Sequence, residues 1–237
     1  MRIDKLLANS GFGSRKDVKK LLKSGAVLCN EKKITDAKAH VDPEQDQIMV
    51  HGELVEYRKF IYVMMNKPQG YISATEDDRL QTVLDLLEPE DAYMKPFPVG
   101  RLDRDTEGLL VLTNDGQLAH DVLAPKKHVP KTYYAVIDGV VDEVDIERFK
   151  QGVTLDDGYV TKPGELTILK SGTQSEIELI ITEGKFHQVK RMFEAVGKKV
   201  VYLKRIAMGA LLLDESLEPG EYREMTEEEL VLMQKRS

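Results

Sequence analysis

Apolar positions in this chain follow two rhythms, and the change from one to the other marks out its elements. Val18, Leu21 and Leu22 recur at helical spacing behind Ser14, with Asp17 three residues on, which predicts a capped helix stopped by Gly25. Ahead of it, Asp4 is placed to cap a short helix over residues 5–10, ended by Gly11. Short apolar runs at 26–29 and 47–50 predict strands, with residues 30–33 as a turn. A charged joint at 56–59 then leads into the run 60–65, read as a buried strand, and residues 66–71 read as a turn.

Farther along, 82–87 suits a short helix stopped by Pro89, and Leu109-Leu110-Val111-Leu112 reads as a strand buried on both faces. A helix from about 116 to Ala124 closes at Pro125. Strands are predicted at 132–137, 165–169, 176–182, 200–205 and 210–213. Helices are predicted from the Asp142 cap to Lys150, over 187–196, and after the Thr226/Glu229 capping box. Strands come in groups rather than in strict alternation with helices, so the class is α+β with a mixed, mainly antiparallel sheet. The joint divides a small domain, 1–59, from a larger one, 60–237.

Composition narrows the setting. At 237 residues, 41% hydrophobic and 32% charged, the chain suits a globular protein with a substantial core. A single cysteine, Cys29, builds no disulfide framework and reads as a small buried filler; the N-terminus carries no apolar leader, and no run reaches membrane-spanning length. A reducing cytoplasm, no membrane partner and a monomer are expected.

The net charge of −7 conceals an asymmetry: residues 1–40 hold ten Lys or Arg against four Asp or Glu, a local +6, and the remaining 24 and 37 give −13. A basic module on an acidic body follows. Arg15, Lys16, Lys19, Lys20 and Lys23 put five cations in nine residues around the second helix. They are either a solvated surface or a phosphate-binding face, and a cluster so nearly free of acid favours the second.

Candidate chemistry concentrates in residues 97–116, where Arg101, Asp103, Arg104, Asp105 and Glu107 crowd between Gly100 and Gly108. Charge against a buried strand is costly unless compensated. Either Arg and Asp pair across the loop, or a reactive carboxylate is held there by its neighbours. The five histidines show no metal-ligand spacing with one another or with Cys29, and no phosphate-binding glycine loop or Ser-His-Asp pattern is present.

Over residues 1–56, Arg2-Ile3-Asp4-Lys5-Leu6-Leu7, Ser14-Arg15, Gly25-Ala26-Val27 and Val50-His51-Gly52 resemble the S4 RNA-binding domain. Three later segments, Gly100-Arg101-Leu102-Asp103, Lys131-Thr132-Tyr133 and Gly184-Lys185-Phe186-His187-Gln188-Val189-Lys190-Arg191-Met192, resemble the pseudouridine synthases. With the S4-like module in front, they look like the branch typified by ribosomal small-subunit pseudouridine synthase A.

The resemblance implies that Asp103 is the nucleophile, attacking a flipped-out uridine at the ribose or on the ring. Tyr133 would stack on the base and move a proton. Lys190 would pair with the aspartate where many relatives carry Arg, with Arg191 as a substitute. Arg101 would help displace the nucleotide. Lys67, His187 and Gln188 stand as supporting residues, with Phe186 and Val189 packed beneath the site. An isomerisation changes neither redox state nor composition, so no cofactor is expected. The implied partner is ribosomal RNA or an assembling small ribosomal subunit. Alternatives are the same chemistry on large-subunit RNA, or a non-catalytic RNA-binding assembly factor.

Overall fold

Two separate sheets form in the computed structural model, which describes residues 1–124 and 128–234. The chain divides into two compact units, Met1–Ile61 with Glu88–Lys95, and Tyr62–Leu87 with Pro96–Ser237.

In the first unit, helices α1 (Ile3–Asn9) and α2 (Arg15–Lys23) precede strands β1 (Val27–Cys29), β2 (Lys32–Lys33), β3 (Ile48–Val50) and β4 (Glu53–Leu54). The strands pair antiparallel in the order β2-β1-β3-β4. Ile3, Leu6, Leu7, Val18, Leu22, Val27, Ile48 and Val50 form the core. Each such side chain, fully buried, is worth about 1.5–3 kcal/mol.

The predicted capping box on α2 is present, with Asp17 N donating to Ser14 Oγ at 3.3 Å and Ser14 N to Asp17 Oδ2 at 3.2 Å. Asp4 does not cap α1. Arg2 holds the N-cap position, and Asp4 lies buried inside the first turn, bridged to the Arg2 guanidinium at 2.6 Å. Asn30 and Glu31 take positive φ and make the β1–β2 turn, so Lys32 and Lys33 extend as a strand. Cys29 is half-buried at the edge of the core.

Pro89 opens a helix instead of stopping one. Val83–Leu86 is a 3₁₀ turn, after which Pro89 takes the first position of α3 (Pro89–Tyr93), where its missing N–H costs nothing. The Tyr93 hydroxyl donates to Gly13 O at 2.8 Å within the first unit.

The second unit is built on one nine-stranded sheet. Its members are β5 (Tyr62–Lys67), β6 (Phe97–Pro98), β7 (Glu107–Thr113), β8 (Lys131–Asp138), β9 (Glu165–Lys170), β10 (Gln174–Ile181), β11 (Lys199–Met208), β12 (Leu211–Leu212) and β13 (Tyr222–Glu224). The main order is β13-β5-β7-β11-β8-β10-β9, with β6 on β7 and β12 on β11. Every pairing is antiparallel except β7 with β11. The α+β class with a mixed, mainly antiparallel sheet is therefore observed.

Leu109 to Leu112 are fully buried, as a continuous apolar run in a central strand requires. β5 continues two residues past the expected strand, carrying Asn66 and Lys67 into the interior. Helices α4 (Gly116–Leu123) and α7 (Glu227–Gln234) bring Leu118, Val122 and Met233 onto Leu109 and Val111. In α5 (Glu143–Gln151) and α6 (Gln188–Ala195), Phe149 and Phe193 meet with ring centroids 4.8 Å apart. Asp142 caps α5 as expected, and Asp115 caps α4. The expected stop at Pro125, and Lys126 and Lys127 of the basic loop, lie outside the described residues.

One glycine is demanded by the parallel seam. Gly108 has φ +101, and a Cβ there would stand 2.2 Å from Arg205 O on β11. That close approach sets the charged loop before β7 beside the strand pair β11–β8, whose register puts Arg205 directly across from Tyr133.

Candidate active site

A cleft of about 530 Å³ opens at this junction, lined in part by Arg101, Asp103, Lys131, Tyr133, Phe186, His187, Leu203 and Arg205. Its geometry begins with the loop that carries Asp103. Leu102 N donates to Ser73 Oγ at 3.0 Å, and the same hydroxyl donates to Leu102 O at 3.0 Å. Gly70 N donates to Arg104 O at 2.8 Å, and Arg104 Nε returns a bond to Gly70 O at 3.0 Å.

Beneath the loop, the fully buried Lys67 ammonium donates to Pro68 O at 3.0 Å, Asp103 O at 3.0 Å and Thr106 O at 2.9 Å. Arg104 O stands farther off, at 3.5 Å, so three close carbonyl acceptors take up the three ammonium hydrogens and fix the loop's shape from within. Burial pulls the Lys67 pKa down to about 8, against the opposing pull of the loop carboxylates.

Asp103 presents its carboxylate above this base. From α6, Lys190 Nζ lies 3.2 Å from Asp103 Oδ2 and 2.6 Å from Asp105 Oδ1. Burial opposes the charge on Lys190, but the Asp105 hydrogen bond and the Asp103 charge prevail and raise its pKa above the ordinary lysine value. Burial likewise opposes ionisation of Asp105, and the Lys190 contact prevails, holding that carboxyl below its ordinary value. His187 Nε2 stands 3.8 Å from Asp103 Oδ1, beyond hydrogen-bond reach.

Of the two cations offered by the sequence as partner to Asp103, the geometry brings Lys190. Arg191 turns to Asp156 and Asp157, with its Nε 2.7 Å from Asp156 Oδ1 and Nη2 2.7 Å from Asp157 Oδ2. Tyr133 is 7% exposed and lines the cleft wall. Arg101 lies at the cleft, exposed, and among the described residues it has no ion-pair partner. Arg15, Lys16, Lys19 and Lys20 stand exposed on α2 of the first unit. Val189 is buried under the site as expected, whereas Phe186 is 75% exposed. It precedes a residue with left-handed φ, His187, which turns the chain outward ahead of α6.

Arg205 and Lys131 are cleft cations to which the sequence assigns no role. Arg205 is 1% exposed; its Nε donates to Leu109 O at 2.8 Å, and its Nη2 has no partner among the described residues. Lys131 donates to Val129 O at 3.1 Å, and burial, with the Arg205 charge beyond it, lowers its pKa to about 8. Cations inside strands are the available signal, since an enclosed charge demands a structural or chemical reason. Among the described residues, no group of His, Cys, Asp and Glu is arranged to hold a metal, and no helix is long and apolar enough to cross a membrane.

A carboxylate fixed on a rigid loop, faced by one ammonium and walled by a tyrosine, is equipped for covalent catalysis on a planar ring. Residues 61–195 match the RNA pseudouridylate synthase family, and residues 1–48 match the S4 domain. An uncharacterized RNA pseudouridine synthase of Bacillus subtilis is 58% identical, with 98% of each chain covered. The ribosomal small subunit pseudouridine synthase A of Salmonella typhimurium is 39% identical, with 97% of this chain and 98% of the relative covered. A crystal structure of a pseudouridylate synthase, 36% identical, superposes with a TM-score of 0.69 over 98% of this chain and 99% of that one. The chain belongs to the RNA pseudouridylate synthase family. It is an RNA-modifying isomerase preceded by an S4 domain.

Proposed function

We propose that this synthase isomerises a specific uridine of small-subunit (16S) ribosomal RNA, with Asp103 as the nucleophile. The observation that carries the chemical part is the Asp103 carboxylate in the cleft, 3.2 Å from Lys190, on a loop pinned by Lys67. The relatives named ribosomal small subunit pseudouridine synthase A, 38–39% identical over nearly the whole chain, support the choice of RNA.

The target base leaves its stack and enters the cleft, where Tyr133 offers an aromatic surface. Asp103 attacks the nucleotide at the ribose or on the ring, and the bond from N1 to the ribose breaks. The uracil turns, C5 joins the ribose carbon, the C5 proton departs and N1 gains one. The aspartate is released, so no atom is gained or lost. Lys190 keeps the carboxylate oriented, and the Tyr133 hydroxyl moves a proton. Residues 1–59 supply RNA affinity through the α2 cations, and 60–237 supply the chemistry. The assembling small subunit in the cytoplasm is the expected setting.

Mapping pseudouridine in both ribosomal RNAs from cells with and without the protein tests the assignment. A site lost from small-subunit RNA is expected. A site lost only from large-subunit RNA would move the substrate to the second reading, which shares this chemistry.

A further inference from the structure

Phe186 is the most exposed large apolar side chain among the described residues, at 75%. It is not loosely held. Its ring stacks on His187 with centroids 3.8 Å apart and planes 17° from parallel, and both residues line the cleft. His187 takes φ +48, an uncommon conformation for a residue with a side chain, and such outliers cluster at functional sites.

The turn beneath is over-determined. Lys185 N donates to Gln188 Oε1 at 2.8 Å, Gln188 N to Lys185 O at 3.1 Å, and the buried Gln188 amide to Glu183 Oε1 at 2.6 Å. Glu183 in turn accepts from the Tyr159 hydroxyl at 2.7 Å. A rigid turn thus holds a phenyl ring in water with one face covered by an imidazole and the other open. Lys185, also at the cleft, sits over the Tyr159 ring at 4.7 Å and adds a cation to this rim. An aromatic face beside a cation is the combination that binds unpaired nucleotides.

We infer that Phe186 and His187 form a stacking subsite for an RNA base adjacent to the target, so that the bound state holds a three-layer stack of base, phenyl and imidazole. Drawing the target into the cleft strips its neighbour of a stacking partner, and the open face of Phe186 replaces it. Because His187 also lies 3.8 Å from Asp103, the stack sets that neighbour at a defined place relative to the carboxylate. The inference rests on uridine isomerisation in this cleft.

The chain contains no tryptophan, so Phe186→Trp places a lone fluorophore at the subsite. Transcripts of small- and large-subunit ribosomal RNA are titrated into that variant, bare and assembled with ribosomal proteins. Pseudouridine formation is measured on the same RNAs with the parent, Phe186→Ala, Phe186→Leu and Phe186→Tyr. Trp emission should be quenched by the RNA that is isomerised. Ala and Leu should raise KM by roughly 5- to 150-fold, the range spanned by one stacked base, while Tyr stays within about twofold of the parent. Emission unchanged by an RNA that the same variant isomerises, or a Leu variant equal to Tyr, overturns the subsite and leaves the proposed reaction standing. If the parent isomerises neither RNA in either form, the proposed reaction has failed and the subsite falls with it. An active Asp103→Asn would remove the nucleophile alone, without altering the emission change.

Discussion

Cations in this protein live in two different worlds. On α2, Arg15, Lys16, Lys19 and Lys20 stand in solvent, and Lys20 approaches its nearest acid, Asp17, only at 4.0 Å. Beneath the cleft loop Lys67, and at the cleft Arg205, are almost wholly enclosed, and Lys131 is half-buried, with backbone carbonyls as their acceptors. The first group adds little to folding, and its charge is free to meet phosphate at a strength that salt erodes. The second holds geometry. Each enclosed cation carries a desolvation cost that its acceptors must offset. The charge nearest the proposed chemistry, Lys190, sits between these extremes at 18% side-chain exposure.

The largest effect expected is on turnover. Asp103→Asn should lower kcat by about 1000-fold or more, equivalent to roughly 4 kcal/mol of barrier, because an amide is no substitute for a carboxylate in the nucleophilic role proposed for Asp103. RNA binding should persist. The variant keeps Asp105 as a partner for Lys190, so stability should change by less than about 1 kcal/mol. A calorimetric scan beside a turnover assay checks both, and a large fall in melting temperature with turnover intact would make Asp103 a structural ion-pair partner only.

Lys67→Met should be the most destabilising change among the cations, by about 3 kcal/mol, since it takes the ammonium donor from three inward carbonyl oxygens, of which Asp103 O keeps a bond from Thr106 N. Denaturant unfolding measures it, and a cost matching that of Lys16→Met on α2 would erase the distinction between enclosed and exposed cations.

The α2 face should answer to salt. Replacing Lys16, Lys19 and Lys20 together with Ala is expected to flatten the dependence of log K on log salt by about 0.7–0.9 for each phosphate that is no longer neutralised. Its effect on stability should stay within about 0.5 kcal/mol per site. Binding isotherms at several salt concentrations decide; an unchanged slope would free α2 from RNA.

The smallest effect is a gain. Lys131 has a folded-state pKa of about 8 against 10.5 unperturbed, chiefly from burial, and no carboxylate partner among the described residues. Below pH 8 both states hold the proton and the folded state bears the cost of burying it. Between pH 8 and 10.5 the unfolded chain binds more proton, so this group's contribution to stability rises with pH. Lys131→Met should therefore be more stable than the parent at pH 7 by about 1 kcal/mol, with the gap closing toward pH 10. Unfolding curves at both pH values test the sign, and a gap that widens with pH would reverse it.

These contrasts also explain what can be read in the chain and what cannot. The α2 face is legible because Val18 and Leu22 set a helical period that leaves the lysines outside. β7 is legible as an uninterrupted apolar run, and the loop before it as an unusual density of charge. Lys67 and Arg205 are not: Lys67 closes β5 beside Asn66, Arg205 follows Lys204 in β11, and apart from Pro68 O next to Lys67 their acceptors lie 36 to 39 and 96 positions away in sequence. Local pattern carries no trace of such partners. Pro89 misleads for a related reason: the residue that ends one helix is equally suited to begin another, and only the following turn decides. Phe186 reads as interior because it is apolar, yet its position is set by the left-handed turn of His187.

The seam at Gly108 has a bearing on how the protein comes into being. Asp103 and Lys190 are 87 positions apart, and the strands that flank the seam are joined by hydrogen bonds spanning 95 and 96. Closing so long a loop is entropically slow, and long-range strand pairing tends to follow local structure. During synthesis the charged loop leaves the ribosome well before the strand that must lie against it. A nascent chain is therefore expected to be inert, because the carboxylate proposed as nucleophile gains its cation and its wall only when nearly the whole polypeptide is present to close the sheet.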